Sequence, residues 1–151
     1  MSIYALNKRA NFDYQISDIY EAGLVLSGQE VKSIKTGHIS LNNSFVTLKS
    51  GTRPELYLIN CHIPPYKHAG NIAEYEPTRA RKLLLKKSEI KRLIGKIKEQ
   101  GLTLVPIKVY NKGGLIKLEF GVGRGKSKID KRETIKKRET ERKLRGLKKQ
   151  Y

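Results

Sequence analysis

The chain has 151 residues, enough for one domain, or for two only if both are small. Its 32 Lys and Arg residues outnumber 14 Asp and Glu residues, and the net charge of +18 predicts a polyanionic partner. No apolar run is long enough to span a bilayer, and the N-terminus lacks the pattern of a signal peptide. The single cysteine, Cys61, excludes an internal disulfide framework. These features favour a cytoplasmic protein that binds nucleic acid.

The positive charge is concentrated at one end of the chain. Residues 124–151 contain thirteen Lys or Arg against four Asp or Glu, so this segment carries half of the net charge. The sequence therefore predicts an N-terminal basic arm at residues 1–11, a folded domain at 12–125 and a basic C-terminal tail at 126–151.

The first part of the domain alternates strand-like and helical patterns. Residues 12–16 alternate apolar and polar side chains as in a half-buried strand, and residues 23–26 form a short apolar strand. Ser27 and Glu30 have the spacing of a capping box, which predicts a helix over 28–36 ended by Gly37. Residues 44–49 and 55–59 resemble a hairpin, and 61–80 form a long excursion.

The second part contains the most regular pattern in the sequence. Four apolar residues with helical spacing predict a helix over 88–100, with Ser88 as N-cap and Gly101 after its end. Strands are predicted at 103–110 and 115–120. This order indicates a mainly β fold, a small antiparallel barrel or sheet with inserted helices. The tail is too poor in apolar residues to pack a core, and we expect it to be disordered when free and helical when bound.

Residues 121–127, Gly-Val-Gly-Arg-Gly-Lys-Ser, superficially resemble a phosphate-binding loop. Phe120 stands where such a loop needs its first glycine, and no apolar helix follows. A flexible glycine hinge at the end of the domain is the favoured interpretation. The sequence also offers no zinc pattern and no nucleophile with a base and an orienting acid, so we expect no cofactor, no metal and no enzymatic activity.

Residues 79–87, Arg-Ala-Arg-Lys-Leu-Leu-Leu-Lys-Lys, combine an apolar run with five basic side chains. Two interpretations stay open, a phosphate-binding surface and a solvated rim around a core segment. Arg9, Lys32 and Lys35 add further basic clusters near the expected barrel, as in proteins that bind single-stranded or structured RNA.

Several ordered motifs then make the sequence similar to the SsrA-binding protein (small protein B) family, over essentially the whole chain. They are Asn7-Lys-Arg-Ala10, Tyr20-Glu-Ala-Gly23, Glu30-Val-Lys-Ser33, residues 77–85, residues 115–121, Gly125-Lys126 and Asp130-Lys-Arg132. The resemblance implies an oligonucleotide-binding (OB)-like barrel. It also implies binding to the tRNA-like domain of transfer-messenger RNA (tmRNA) and its delivery, with elongation factor Tu, to stalled ribosomes.

In that family the tail reads the empty messenger channel and the decoding centre of the small subunit. Residues that match the family's RNA-contacting surface by position are Asn7, Glu21 and Leu84, with Lys32, Arg79, Arg81 and Lys82 as phosphate partners. A carboxylate at Glu21 suits base or shape readout, because phosphate would repel it. An ordinary exposed charge is the alternative.

The tail residues assigned to the ribosome are Lys126, Asp130, Lys131, Arg132 and Leu147. Ile129 stands where the family usually has an aromatic or histidine residue. We expect a monomer without membrane association. The alternative function is a general ribosome-associated RNA-binding protein or RNA chaperone that uses the same basic barrel.

Overall fold

A computed structural model describes residues 2–67, 74–126, 132 and 135–142. Its elements, in chain order, are β1 (Ile3–Leu6), α1 (Ala10–Asp13), β2 (Tyr14–Leu24), α2 (Gly28–Lys35), β3 (Phe45–Lys49), β4 (Glu55–Ile59), β5 (Arg81–Leu84), α3 (Lys87–Gln100), β6 (Thr103–Lys112) and β7 (Leu115–Gly125). The mainly β fold with inserted helices is therefore confirmed.

The described strands form one antiparallel sheet in the order β1-β6-β7-β2-β5-β4-β3. Its centre is the long pairing of β2 with β7, which runs from Tyr14 opposite Gly125 to Gly23 opposite Lys117. The sheet curls until β3 lies close to β6. Curling gives a barrel-like shape with an apolar inside and an outer face that side chains of alternate residues occupy.

The inside of the barrel is a continuous apolar core. Leu56, Leu58, Leu118 and Phe120 contribute from the strands and are no more than 1% exposed. Ile34 of α2 and Leu93 of α3 close the core from the helices. Within the described residues, no helix combines the length and the apolar character needed to cross a membrane.

Both long helices form where the sequence predicts them. The capping box of α2 is present, since Ser27 Oγ accepts from the Glu30 N–H at 3.2 Å and Glu30 Oε1 accepts from the Ser27 N–H at 2.9 Å. Gly101 ends α3 at φ +61°, in the left-handed region that glycine tolerates best. The predicted N-cap at Ser88 is wrong, because α3 begins one residue earlier and Lys86 occupies the cap position.

Two strand predictions need correction. Residues 12–16 are not one strand, because α1 takes Ala10–Asp13 and β2 starts at Tyr14. β2 then continues to Leu24, so residues 23–26 do not form a separate strand. The short periodic pattern could not reveal that long-range pairing with β7 would hold all of β2 together.

The glycines at 121–125 belong to β7 and do not form a hinge. A Cβ at Gly123 would lie 2.5 Å from the Gln15 carbonyl oxygen, and one at Gly121 would lie 2.6 Å from Ile16 Cγ2. The register shifts at this point in β2, between Ile16 and Asp18. Glycine is therefore required here for close approach of two strands.

The two ends of the chain, the predicted arm and the predicted tail, relate differently to the sheet. The predicted N-terminal arm contributes β1, which pairs with β6 in the sheet. The last strand ends at Gly125, where the charge composition changes. Residues 135–142 are helical and exposed. Disorder of the free tail stays a prediction.

Candidate nucleic-acid interface

Strand β5 separates its side chains between the inside and the outside of the barrel. Arg81 is 0% exposed and Leu83 2%, whereas Leu84 is 53% exposed. Lys82 also points outward and pairs with Glu55 at 3.3 Å. Arg81 therefore fits neither of the two open interpretations of the basic stretch at 79–87, a phosphate-binding surface or a solvated rim, whereas both stay open for Lys82.

Arg81 lies in a buried polar cluster. Its Nε donates to Glu30 Oε2 at 2.5 Å, Nη1 to the Cys61 carbonyl at 2.6 Å and Nη2 to the Pro77 carbonyl at 2.9 Å. Each of the three guanidinium nitrogens has a partner, and removing Arg81 would leave the buried Glu30 without one of its cations, so Arg81 serves the fold. This geometry does not match the predicted phosphate contact of Arg81.

Glu30 is the anion of the same cluster. It is 1% exposed and also pairs with Arg79, whose side chain keeps 42% of its surface exposed. Although burial raises the pKa of Glu30, hydrogen bonds from the Ser27 backbone, Arg79 and Arg81 hold the pKa below its usual value. Arg79 therefore joins the buried cluster to the surface.

A groove opens on the outer face where β2, β5, β7 and α2 meet. It has a volume of about 270 Å³, and its lining includes Gly23, Leu84 and Leu115, with Lys35 and Lys117 among the polar groups. Leu115 is 61% exposed. A Cβ at Gly23 would lie 3.4 Å from Leu84 Cβ, so a larger residue would begin to fill this space. We call this site the groove.

Glu21 lies on β2 two residues before Gly23, and therefore on the same face of the sheet. It accepts hydrogen bonds from the Tyr110 hydroxyl and, at 3.2 Å, from Lys112 Nζ. The Tyr110 hydrogen bond has the largest effect and lowers the pKa of Glu21; burial opposes it, and Lys112 and Lys117 lower the pKa further, so that it lies below its usual value. The side chain remains 37% exposed, so an ionised carboxylate is presented beside the groove.

Lys32 lies on a different side of α2 from the groove. It is exposed and sits over the Tyr66 ring, with Nζ 5.7 Å from the ring centroid. The Tyr66 N–H donates to Gln29 Oε1 at 3.1 Å, one helical turn before Lys32. Lys32 is thus available at the surface but does not line the groove.

Asn7 and Arg9 lie at a second site, a cavity of about 520 Å³ that we call the end cavity. Asn7 Nδ2 donates to the Pro106 carbonyl at 2.8 Å, and Arg9 pairs with Asp13 at 3.1 Å. The lining also includes Tyr14, the first residue of β2. Tyr14 and Gly23 are nine positions apart along β2, so extended backbone separates the two sites by up to about 30 Å.

The tail residues are only partly described. Lys126 Nζ donates to the Asn11 carbonyl at 2.7 Å, and Arg132 is helical and exposed. Asp130, Lys131 and Leu147 lie outside the described residues. The structure thus brings Lys35 and Leu84 together in the groove, with Glu21 two residues from its Gly23, and places Asn7, Arg9 and Lys126 near the opposite end of the β2–β7 pair.

Four groups near the groove were missed by sequence reasoning, namely Tyr110, Lys112, Leu115 and Lys117. The signal was present, because period-two alternation in 115–121 places Leu115, Lys117 and Glu119 on one strand face. Which face was outward could not be read from the strand alone.

Cys61 and the described histidines do not belong to a cluster of metal-binding side chains within the described part of the chain. The described ranges hold no group of three or more His, Cys, Asp or Glu side chains arranged for a metal ion. The Cys61 thiol is buried and donates to the Ser40 carbonyl at 3.4 Å, and burial raises its pKa to about 11. His68 lies outside the described residues.

Comparison with known proteins agrees with the sequence motifs. Residues 4–150 match the family described as SmpB protein. The SsrA-binding protein of Geobacillus kaustophilus (strain HTA426) is 51% identical over 142 residues, covering 94% of this chain and 89% of the relative. That of Thermosipho africanus (strain TCF52B) is 50% identical over 145 residues, covering 95% of each.

A solved structure gives the same result for the fold. It is described as "tmRNA-SmpB: a journey to the center of the bacterial ribosome", and its matching chain has a TM-score of 0.64 and 45% identity. The match covers 86% of this chain and 92% of that one. This chain belongs to the SmpB family of SsrA-binding proteins.

Proposed function

We propose that this chain binds the tRNA-like domain of tmRNA and delivers it, with elongation factor Tu, to stalled ribosomes for trans-translation. The observation that carries the proposal is about 50% identity, along nearly the whole chain, to relatives named SsrA-binding protein. The chain acts in the cytoplasm as a non-enzymatic adaptor, and peptide transfer belongs to the ribosome.

The chemistry of the groove supports RNA as the ligand. Leu84 and Leu115 offer apolar surface to an unstacked base or a sugar, while Lys35 and Lys117 supply charge for the phosphates that flank it. Glu21 adds an acceptor for base N–H or amino groups, which a purely electrostatic surface lacks. Arg79, Lys82 and Lys32 extend the positive surface beyond the groove, and Arg81 supports it from inside.

The tail has a separate role in the proposal. The described part of its helix presents Lys136, Lys137, Arg138 and Arg142 to solvent. A cationic helix suits a channel lined by RNA phosphates, where its charges release counterions. We assign Asp130, Lys131, Arg132 and Leu147 to the decoding centre and messenger channel of the small subunit.

Truncation after Lys126 tests this division of labour. The shortened chain keeps every described strand of the sheet, so we expect binding to the tRNA-like domain within about twofold of the full chain. Tagging of stalled chains in a reconstituted translation system should be abolished. A control that lacks only Gln150 and Tyr151 shows whether any shortening is harmful. Tagging by the truncated chain, or loss of its RNA binding, would contradict the proposal.

A further inference from the structure

The chain leaves the barrel at Lys126, which is held through both its backbone and its side chain. Beyond the last β2–β7 pair, Tyr14 with Gly125, the Lys126 N–H donates to the Asp13 carbonyl at 2.8 Å. Lys126 Nζ donates to the Asn11 carbonyl at 2.7 Å. We call the contacts of Lys126 with Asn11 and Asp13 the exit clamp.

The two acceptors of the exit clamp belong to α1. The last carbonyls of a helix have no partner within it, so they are available to a donor from elsewhere. A lysine near a helix C-terminus is also favoured by the helix dipole. Lys126 therefore satisfies backbone groups that a four-residue helix cannot satisfy itself.

Helix α1 is in turn held by Arg9. The guanidinium contacts both carboxylate oxygens of Asp13, at 3.1 and 3.2 Å, and lies 5.1 Å from the centroid of the Phe12 ring. Ala10 of the same helix is 2% exposed and anchors it in the barrel. The exit clamp thus joins Lys126 to a segment that is itself fixed.

The glycines just before Lys126 differ in how tightly they are packed, and this difference makes the exit clamp important for the direction of the tail. Gly123 is pressed against the backbone of Gln15, whereas a Cβ at Gly125 would meet nothing within 4 Å. Glycine in open space has the widest choice of backbone conformations. Without the side-chain contact of Lys126, the chain at Gly125 would be held less firmly, although the backbone bond from Lys126 to Asp13 would remain.

We infer that Lys126 is a positioning residue: it ties the start of the tail to α1 and so sets the direction in which residues beyond 126 leave the barrel. This role differs from the direct ribosomal contact predicted from the family motif. The inference rests on the proposed function of the tail, but its structural half can be tested without RNA or ribosomes.

Backbone ¹⁵N relaxation of the free protein measures the clamp. In the wild type we expect an order parameter at Lys126 near that of β7, about 0.85, and in Lys126→Met a fall below about 0.6 at residues 125 and 126. Lys126→Arg keeps a charged donor and should stay ordered. Arg124→Met removes the same charge two residues earlier, at the end of β7, and should leave both values unchanged.

A flexible Lys126 in the wild type, or unchanged order in Lys126→Met, would overturn the clamp whatever the RNA results are. Tagging then connects the clamp to function. Loss of a charge-assisted hydrogen bond raises the ratio of open to closed tail starts roughly tenfold, so Lys126→Met should lower the tagging rate measurably, and by about tenfold at most, with RNA affinity unchanged. Lys126→Arg should retain most of the rate. Equal tagging by Lys126→Met and wild type would remove the positioning role of Lys126, even if residues 125 and 126 are more mobile in the variant.

Discussion

Glu30 and Glu21 are two carboxylates with lowered pKa values and opposite surroundings. Glu30 is 1% exposed and is held by Arg79, Arg81 and the start of α2. Glu21 is 37% exposed and is held by a buried tyrosine and a surface lysine. The first carboxylate joins a helix to a strand inside the barrel, and the second lies beside the groove.

The difference shows that a charged residue within a family motif can either stabilise the fold or contact RNA. The face of the strand on which the residue lies decides between the two roles. Arg81 and Lys82 are adjacent in sequence, yet one is inside the barrel and the other outside. Removing a charge from the buried cluster should therefore damage stability, whereas removing one from the groove should damage RNA binding.

The largest effect is expected from Arg81→Ala. This change leaves Glu30 buried with an incomplete set of partners and should lower the free energy of unfolding by about 3–5 kcal/mol. Urea denaturation followed by circular dichroism measures it. Lys82→Ala is the matched control, since its surface pair contributes only a small fraction of that value. Similar losses for the two variants would contradict the assignment of Arg81 to the fold.

Glu21→Ala should act on RNA binding rather than on folding. If the carboxylate accepts from a base, its loss weakens binding to the tRNA-like domain by about 1–3 kcal/mol. Glu119 lies directly opposite on β7 and carries the same charge, so Glu119→Ala is the control and should leave affinity unchanged or slightly stronger. Tighter binding by both variants would mean that Glu21 is an ordinary surface acid.

A smaller effect is expected from the lysines of the groove. Each phosphate that Lys35 or Lys117 neutralises adds roughly 0.7–0.9 to the slope of log affinity against log salt. Replacing either lysine with Gln should reduce the slope by that amount. Lys98 is exposed near the end of α3 and does not line the groove, so Lys98→Gln should not change the slope. An unchanged slope in all three variants would remove the groove from the interface.

The smallest effect concerns pH. Because the folded pKa of Glu21 lies below the usual value of 4.5, its contribution to stability is present above about pH 4.5 and is lost as pH falls through the folded pKa. Glu21→Gln cannot titrate and should lose slightly less stability than wild type between pH 7 and pH 3.5. Urea midpoints across this range measure the difference, and parallel curves would show that Glu21 does not contribute.

Local signals allowed much of the fold to be predicted. The Ser27–Glu30 capping box, the apolar stripe of α3 and the hairpin of β3 and β4 are all encoded within about 15 residues. The second role of Glu30 was not readable, because its partner Arg81 lies 51 residues away. The run of three leucines at 83–85 also hid the alternation that places Arg81 inside and Leu84 outside.

The same limit applies to the site. Family motifs predicted Glu21 and Leu84 as RNA-contacting residues, which stays a prediction, and the groove depends on the meeting of β2, β5, β7 and α2, which only the folded chain shows. Likewise, the Gly121–Gly125 segment is as rich in glycine as a flexible hinge. The close approach of Gly121 and Gly123 to β2 becomes visible only in the folded sheet.

If the proposed function is right, the outer face of the barrel recognises a particular RNA fold. The most direct measurement titrates the chain, at moderate salt, with the tRNA-like domain of tmRNA and with an unrelated hairpin that has the same number of phosphates. We expect at least a tenfold preference for the tRNA-like domain, equivalent to about 1.4 kcal/mol, and a reduced preference in Glu21→Ala. Equal affinity for the two RNAs would contradict it and favour a general RNA chaperone.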